Sequence, residues 1–185
     1  MLVLLGKSAS GKDSIQRELI TLGMSSVVSY TTRPPRKGEV DGVAYHFISE
    51  YEFAQKQSEG FFAETTYYNV ASGETWFYGS AVKDLSDNKV VILNPEGLES
   101  IKNNNMLNPV SFYIKTKRNV IWDRLRKRGD NFSEAKRRLL ADEKDFENIS
   151  EKVNYVFSNN GELKLPLLAE MIKYTYDKHI ESEVR

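Results

Sequence analysis

The sequence opens with Met-Leu-Val-Leu-Leu-Gly-Lys-Ser-Ala-Ser-Gly-Lys at residues 1–12, in which an apolar run leads into a loop bounded by glycines. The loop matches the pattern G-x-x-x-x-G-K, and an amphipathic segment at 13–22 follows it. Glycines let successive backbone N–H groups point at one anion, and the N-terminus of a following helix adds a favourable dipole. A strand, this loop and a helix in that order predict a phosphate-binding loop, in which Lys12 reaches the outer phosphates of ATP.

The residues expected to bind the phosphates of ATP belong to the loop and to the first turn of the helix: Gly6, Ser8, Ala9, Ser10, Gly11, Lys12, Asp13 and Ser14. Asp13 stands where a Ser or Thr hydroxyl usually binds magnesium. A carboxylate is also a hard oxygen ligand, so Asp13 is the candidate ligand of Mg²⁺, directly or through water. The adjacent Ser14 is the alternative.

Short apolar runs alternate with helix-like segments along the whole chain. Strands are predicted at 1–5, 27–30, 90–93, 110–115 and 155–157. Helices are predicted at 13–22, at 49–58 with a capping box of Ser49 and Glu52, from Pro95, at 118–128, from Ser133 and from about Pro166, with a short helix capped by Ser80. Five apolar strands separated by helices predict an α/β fold whose parallel sheet is covered on both faces.

Two further patterns refine this fold. The segments 61–68 and 75–78, joined by a turn at 71–73, predict an antiparallel hairpin outside the parallel sheet. The first helix is expected to bury one apolar face, formed by Ile15, Leu19 and Leu22.

Composition limits the classes of function. The 185 residues include 26 Lys and Arg and 26 Asp and Glu, so the formal net charge is zero. A nucleic-acid-binding protein usually carries a net basic field, so this balance argues against that class and leaves room for a local basic pocket. The chain has no cysteine, which excludes disulfides and thiolate metal sites. Because the apolar start is too short for a membrane span, we expect an intracellular, cytoplasmic protein.

A second informative stretch, Ser-Tyr-Thr-Thr-Arg-Pro-Pro-Arg-Lys-Gly-Glu-Val-Asp-Gly-Val-Ala-Tyr, occupies residues 29–45. Arg33 and Arg36 are three residues apart and are braced by two prolines. Arginine suits phosphate because its planar donors engage two oxygens at once. Taken alone, the stretch fits a phosphate-binding fork and a solvated basic surface loop equally well.

The whole stretch resembles the acceptor-binding segment of guanylate kinases, S-x-T-T-R-x-P-R-x-G-E-x-x-G-x-x-Y, without a gap from Ser29 to Tyr45. The resemblance implies ATP-dependent phosphorylation of GMP or dGMP with Mg²⁺. It also implies a three-layer P-loop NTPase fold with a five-stranded parallel sheet. Its parts would be a core at about 1–30, 81–118 and 150–185, a small acceptor-binding β subdomain at about 31–80 and a helical lid at about 119–149.

The resemblance assigns two groups of acceptor-binding residues. The acceptor phosphate would be held by Arg33, Arg36, Tyr45 and Tyr78, and the base would lie near Ser29, Glu64, Ser80 and Asn94. Guanine offers two adjacent donors, N1–H and the 2-amino group, which one carboxylate accepts together. Adenine lacks that arrangement and would leave the buried carboxylate unpaired, so Glu64 would select guanine.

The resemblance also implies a lid whose arginines clamp the transferring phosphoryl group. Arg128 and Arg138 are the candidates, although Arg137 is not separable from Arg138 by alignment. Asn159 matches the family position near the adenine of ATP. Three features depart from the family pattern: Asn94 and Ile92 stand in place of aspartates, and the connection between residues 65 and 77 is several residues longer.

Two alternative functions stay open. Asp13, Asn94 and the long hairpin also fit a nucleoside monophosphate kinase of broader or different base preference. A non-catalytic protein-binding module on the same fold is the third hypothesis, but such relatives have lost the phosphate loop, whereas this chain keeps Gly6, Gly11 and Lys12. The expected partners are small nucleotides, with no nucleic acid and no membrane. The sequence predicts neither the oligomeric state nor a choice between ribose and deoxyribose.

Overall fold

The structure is a computed structural model that describes residues 1–36, 38–69, 73–103 and 107–183. Its strands are β1 (Leu2–Leu5), β2 (Ser25–Ser26), β3 (Tyr30–Thr31), β4 (His46–Phe47), β5 (Phe62–Asn69), β6 (Thr75–Ala81), β7 (Lys89–Ile92), β8 (Val110–Lys115) and β9 (Tyr155–Ser158). Its α-helices are α1 (Lys12–Thr21), α2 (Glu50–Ser58), α3 (Pro95–Lys102), α4 (Arg118–Arg128), α5 (Phe132–Asp145), α6 (Ile149–Lys152) and α7 (Leu165–Glu183). A 3₁₀ turn follows β6 at Val82–Asp84.

The predicted parallel sheet is confirmed, with five strands in the order β2-β7-β1-β8-β9. Strand β1 lies at its centre, and all four of its residues are buried. Leu2 and Leu4 pack with α1 and α7 on one face, whereas Val3 and Leu5 pack with α3 on the other. Alternate side chains of a strand point to opposite faces, so a central strand between two helical layers is apolar throughout.

A second sheet has four strands in the order β4-β3-β6-β5, of which β5 and β6 form the predicted antiparallel hairpin. Helix α2 covers it through Phe53, whose ring stacks on Phe62 at 4.6 Å between centroids. The predicted capping box starts this helix, because Ser49 Oγ accepts a hydrogen bond from the Glu52 N–H and the Glu52 carboxylate accepts one from the Ser49 N–H. The predicted turn at 71–73 falls partly outside the described residues.

Helices α4 and α5 form a separate small cluster next to the phosphate loop. Its buried side chains are Ile121, Leu125, Ala135 and Leu139. Ala9 of the loop packs against this cluster. Gly129 ends α4 with a φ of 78°, a left-handed conformation that glycine adopts without strain. The packing of Ala9 places the α4–α5 pair directly against the predicted phosphate loop.

Three local predictions are wrong. Residues 27–30 do not form one strand, because the chain leaves the parallel sheet after β2 and enters the second sheet at Tyr30. Ser80 caps no helix; it lies in β6 opposite Glu64, and the 3₁₀ turn begins after Ala81. Leu22 is 37% exposed, because α1 ends at Thr21 and the helical face does not continue through its C-cap.

Among the described residues, no helix is both long enough and apolar enough to cross a bilayer.

Candidate active site

The phosphate loop lies between β1 and α1 and leaves no room for side chains at its two glycines. A Cβ added to Gly6 would lie 2.5 Å from Ser10 Oγ, and one added to Gly11 would lie 2.5 Å from Asn159 Nδ2. Gly11 also has a φ of +97°, and Ala9 has a φ of 57°. These positive angles curl the backbone, as a cradle of amides around an anion requires.

Lys12 is held over this loop by backbone carbonyls. Its Nζ donates to Gly6 O at 2.6 Å and to Lys7 O at 3.2 Å. Burial lowers the pKa of Lys12, while the negative charges of Asp13 and Asp142 act in the opposite direction. These two carbonyl groups therefore fix the ammonium group against the loop.

One loop amide already binds an anionic oxygen. The Ser8 N–H donates to Asp142 Oδ2 of helix α5 at 2.6 Å. A carboxylate accepts hydrogen bonds from backbone amides in the same way as a phosphate oxygen does. The Ser8 amide is therefore able to donate to an anionic oxygen.

Arg124 of α4 contacts the phosphate loop, although its role was not predicted from the sequence. Its Nη1 donates to Ala9 O at 3.2 Å and to Ser10 O at 2.9 Å, and its Nη2 donates to Asn159 O at 3.0 Å. Asn159 Nδ2 in turn donates to Ser10 O at 2.8 Å. Burial lowers the pKa of Arg124. The available signal was its spacing of three residues from the apolar Ile121, which places it on the inner face of the helix.

The two predicted lid arginines converge on Asp130. Arg128 Nη2 and Arg138 Nη2 both lie 2.6 Å from Asp130 Oδ2. Hydrogen bonding from Arg128, followed by that from Arg138, lowers the pKa of Asp130 to about 2. Arg137 pairs with Glu134 instead, so the structure separates the two adjacent arginines that the alignment did not distinguish.

Three of the four predicted acceptor-phosphate residues, Arg33, Tyr45 and Tyr78, form a second cluster. Arg33 is only 3% exposed, and its Nη2 lies 2.9 Å from both carboxylate oxygens of Glu39. The Arg36 N–H donates to Glu39 Oε2 at 2.7 Å, while the Arg36 side chain is exposed. The Arg33 guanidinium lies 5.5 Å from the ring centre of Tyr45, which is 5.9 Å from the ring of Tyr78. Glu39, the anion that both Arg33 and the Arg36 N–H contact, was not predicted from the sequence.

The predicted base-binding residues also come together. Glu64 is 5% exposed and lies opposite Ser80 in the β5–β6 ladder. Ser80 Oγ lies 3.1 Å from Ser29 Oγ. Burial raises the pKa of Glu64 to about 7, although hydrogen bonds from the hydroxyl and the amide of Ser80 oppose this rise. A carboxyl group of this kind is available to bind two adjacent N–H donors of a ligand.

The raised pKa of Glu64 makes a prediction about stability. Glutamate titrates near 4.5 when unfolded and near 7 here, so the folded protein binds more protons between these values and becomes less stable as pH rises through that range. Glu64→Gln removes this cost. We expect its free energy of unfolding, measured by denaturant titration at about pH 8, to exceed that of the wild type by up to about 3 kcal/mol, with little difference at about pH 4.5. If the free energy of unfolding depends on pH equally in the wild type and the variant, the raised pKa of Glu64 is contradicted. Glu59→Gln is the control, because Glu59 is an exposed carboxylate.

The residues near the loop fit a magnesium ion held mainly by phosphate oxygens. Asp13 is exposed at the start of α1, next to Lys12. Ile92 packs on the core formed by α1 and α7, so it supplies no ligand. Within the described part of the chain there is no group of three or more His, Cys, Asp or Glu side chains that would hold a metal. Mg²⁺ is commonly bound by one or two carboxylates together with substrate phosphates. Asp13 is a carboxylate that fits this arrangement.

Comparisons with known proteins agree with this arrangement. A family model described as guanylate kinase matches residues 1–173. The guanylate kinase of Nitratidesulfovibrio vulgaris is 35% identical over 149 residues, which cover 76% of this chain and 70% of that protein. The guanylate kinase of Symbiobacterium thermophilum is 31% identical over 183 residues, which cover 92% and 85%. The crystal structure of guanylate kinase from Anaplasma phagocytophilum matches 97% of this chain and 85% of its own, with a TM-score of 0.68 and 25% identity. The chain belongs to the guanylate kinase family.

Proposed function

We propose that this chain transfers the γ-phosphoryl group of ATP to GMP or dGMP. The observation that carries the proposal is that one chain of this family combines a phosphate loop with two sets of preoriented arginines. Lys12 Nζ is held on the carbonyls of Gly6 and Lys7. The buried Arg33 is held by Glu39, and Arg138 of the predicted lid is held by Asp130. These cations match the donor phosphates, the acceptor phosphate and the transferring group of a monophosphate kinase.

The main barrier to this reaction is repulsion between anions. The second pKa of the acceptor phosphate is near 6, so the acceptor is largely dianionic at neutral pH and needs no general base. Lys12 would offset charge on the donor phosphates, and Arg33 would offset charge on the acceptor phosphate. Arg128 and Arg138 would offset charge on the phosphoryl group during its transfer. Closure of the lid would also keep water away from the transferring group.

The carboxylates that now pair with these arginines have a role in this proposal. Glu39 holds the buried Arg33, and Asp130 holds Arg128 and Arg138. A guanidinium group presents several N–H donors in one plane, so it keeps a carboxylate partner while binding a phosphate oxygen with its remaining donors. The arginines are in this way oriented before the nucleotides bind.

Asp13 is the residue we assign to Mg²⁺, alone or with Ser14. The ion, when bound with ATP, neutralises part of the phosphate charge. Asp13 contributes a hard oxygen at the start of α1, beside the lysine that contacts the same phosphates.

The test is an ADP-release assay with ATP, Mg²⁺ and each common ribo- and deoxynucleoside monophosphate. We expect kcat/KM for GMP and dGMP to exceed that for AMP, CMP, UMP and dTMP by about a hundredfold or more, because none of the others presents both of the donors that Glu64 accepts. If kcat/KM for AMP or dTMP exceeds that for both guanine nucleotides, the chain is a monophosphate kinase of different base preference. If no acceptor releases ADP, the non-catalytic module replaces the kinase.

A further inference from the structure

The side chain of Asn94 has a fixed orientation. As the N-cap of α3, its Oδ1 accepts the Gly97 N–H at 2.8 Å. This bond assigns the oxygen to one side, because an amide nitrogen has no lone pair to accept with. The amide nitrogen then faces β5, where Nδ2 donates to Thr66 Oγ1 at 2.8 Å.

The direction of the second bond determines what the Thr66 hydroxyl can do. A hydroxyl group has one proton to donate and two lone pairs to accept with. Because Asn94 donates to Thr66, the proton of Thr66 is not used in this bond. Within the described residues, the Thr66 hydroxyl donates to no other protein atom. It is therefore available as a donor to a ligand.

Thr66 lies beside the carboxyl group of Glu64. The two residues are separated by one position on β5, so their side chains leave the same face of the strand. A Cβ added to Gly97 would lie 3.1 Å from Glu64 Oε2 and 3.1 Å from Asn94 Oδ1, so the start of α3 approaches both side chains closely. Glu64, Asn94 and Thr66 thus surround one small region between β5 and the start of α3.

We propose that Thr66 is a further base-binding residue, whose hydroxyl Asn94 directs toward the guanine. This inference rests on the proposed function and adds a contact to the same site. Guanine has an acceptor on each side of the two donors that Glu64 would take: O6 beside N1–H, and N3 beside the 2-amino group. A donor next to Glu64 therefore meets a base acceptor on either side.

The identity of residue 94 decides the direction of the bond. The family pattern has an aspartate at this position, and Asp caps a helix as well as Asn does. An aspartate has no proton to give, so it would accept the Thr66 proton and withdraw it from the ligand. Asn94 is thus a positioning residue that acts through Thr66.

The first test removes the hydroxyl group. We expect Thr66→Val to lower kcat/KM for GMP about tenfold or more, with KM for ATP unchanged, because a base acceptor loses its donor. Thr66→Ser keeps the hydroxyl and retains most of the activity. Thr65→Val is the matched control, since Thr65 points to the other face of β5 and accepts a bond from Gln57 at 3.4 Å. Equal GMP kinetics in the wild type and Thr66→Val would overturn the inference.

The second test reverses the direction of the bond. Asn94→Asp keeps the cap of α3, so thermal stability is retained, but we expect it to lower kcat/KM for GMP about tenfold. In the Thr66→Val background the same change should have no further effect. Additive losses would mean that the new carboxylate acts on Glu64 by charge repulsion, and the inference would fail. If the wild type does not phosphorylate GMP at all, the proposed function fails first, so the two failures are distinguishable.

Discussion

Replacing Lys12 with alanine is expected to lower the turnover of every acceptor by about a thousandfold or more, because the loop loses the side-chain cation that faces the donor phosphates. The Nζ atom lies 2.6 Å from Gly6 O and 3.2 Å from Lys7 O, so two loop carbonyls hold the charge in place. Lys12 is proposed to contact the phosphates of ATP and not the base of the acceptor nucleotide. The loss should therefore be equal for GMP and dGMP, measured as ADP release at saturating ATP.

A charge-matched control separates this effect from a general electrostatic one. Lys127→Ala removes the same charge from an exposed position of α4 and should change turnover by less than about twofold. The unfolding temperature of Lys12→Ala should stay within a few degrees of the wild type, because the lost hydrogen bonds are offset by removal of a buried ammonium group. A folded Lys12→Ala protein with more than about a tenth of wild-type turnover would exclude the assigned role.

The parts of the fold that the sequence predicts well are those that short segments determine. Strand β1 is apolar at every position because both of its faces are buried, and the glycine at 6 is required by a close contact with Ser10, four residues later. The capping box of α2 is likewise a property of four consecutive residues. Such signals need no knowledge of distant parts of the chain.

Two of the errors and omissions concern residues whose partners are more distant in sequence. The spacing of Arg124 from Ile121 indicates its face of α4, but the carbonyl groups that it contacts lie 114 and 115 residues earlier in the chain, and no local pattern identifies them. Ser80 has the residue type of a helix cap, but the hairpin places it in β6 opposite Glu64. Residue type sets the range of contacts, and tertiary packing selects among them.

The pair Arg137 and Arg138 illustrates the same limit within one helix. Adjacent helical residues point about 100° apart, so a shift of one position in an alignment changes which arginine faces the site. Arg138 is 32% exposed and pairs with Asp130, whereas Arg137 is 44% exposed and pairs with Glu134. Only the register of α5 against the rest of the protein decides between them.

Glu64→Gln is expected to lower kcat/KM for GMP by about a hundredfold to a thousandfold while leaving the weak activity with AMP nearly unchanged. A carboxylate accepts both N1–H and the 2-amino group, whereas a Gln side chain offers one acceptor and places an N–H donor against the second guanine donor. The pKa of Glu64 is about 7, so half of the free wild-type protein carries the wrong protonation state at that pH. Wild-type kcat/KM for GMP should rise with pH through about 7 and then level off, and the variant should lack this rise.

IMP provides the comparison that assigns the effect to Glu64, because it keeps N1–H and lacks the 2-amino group. The wild type should prefer GMP to IMP by about tenfold or more, since a buried acceptor without its donor is costly. In Glu64→Gln this preference should largely disappear, because the variant no longer accepts both donors. A variant that loses activity equally with GMP, IMP and AMP would show that Glu64 supports the hairpin and does not contact the base. The GMP-to-IMP ratio therefore distinguishes recognition from stability, which the loss of rate alone does not.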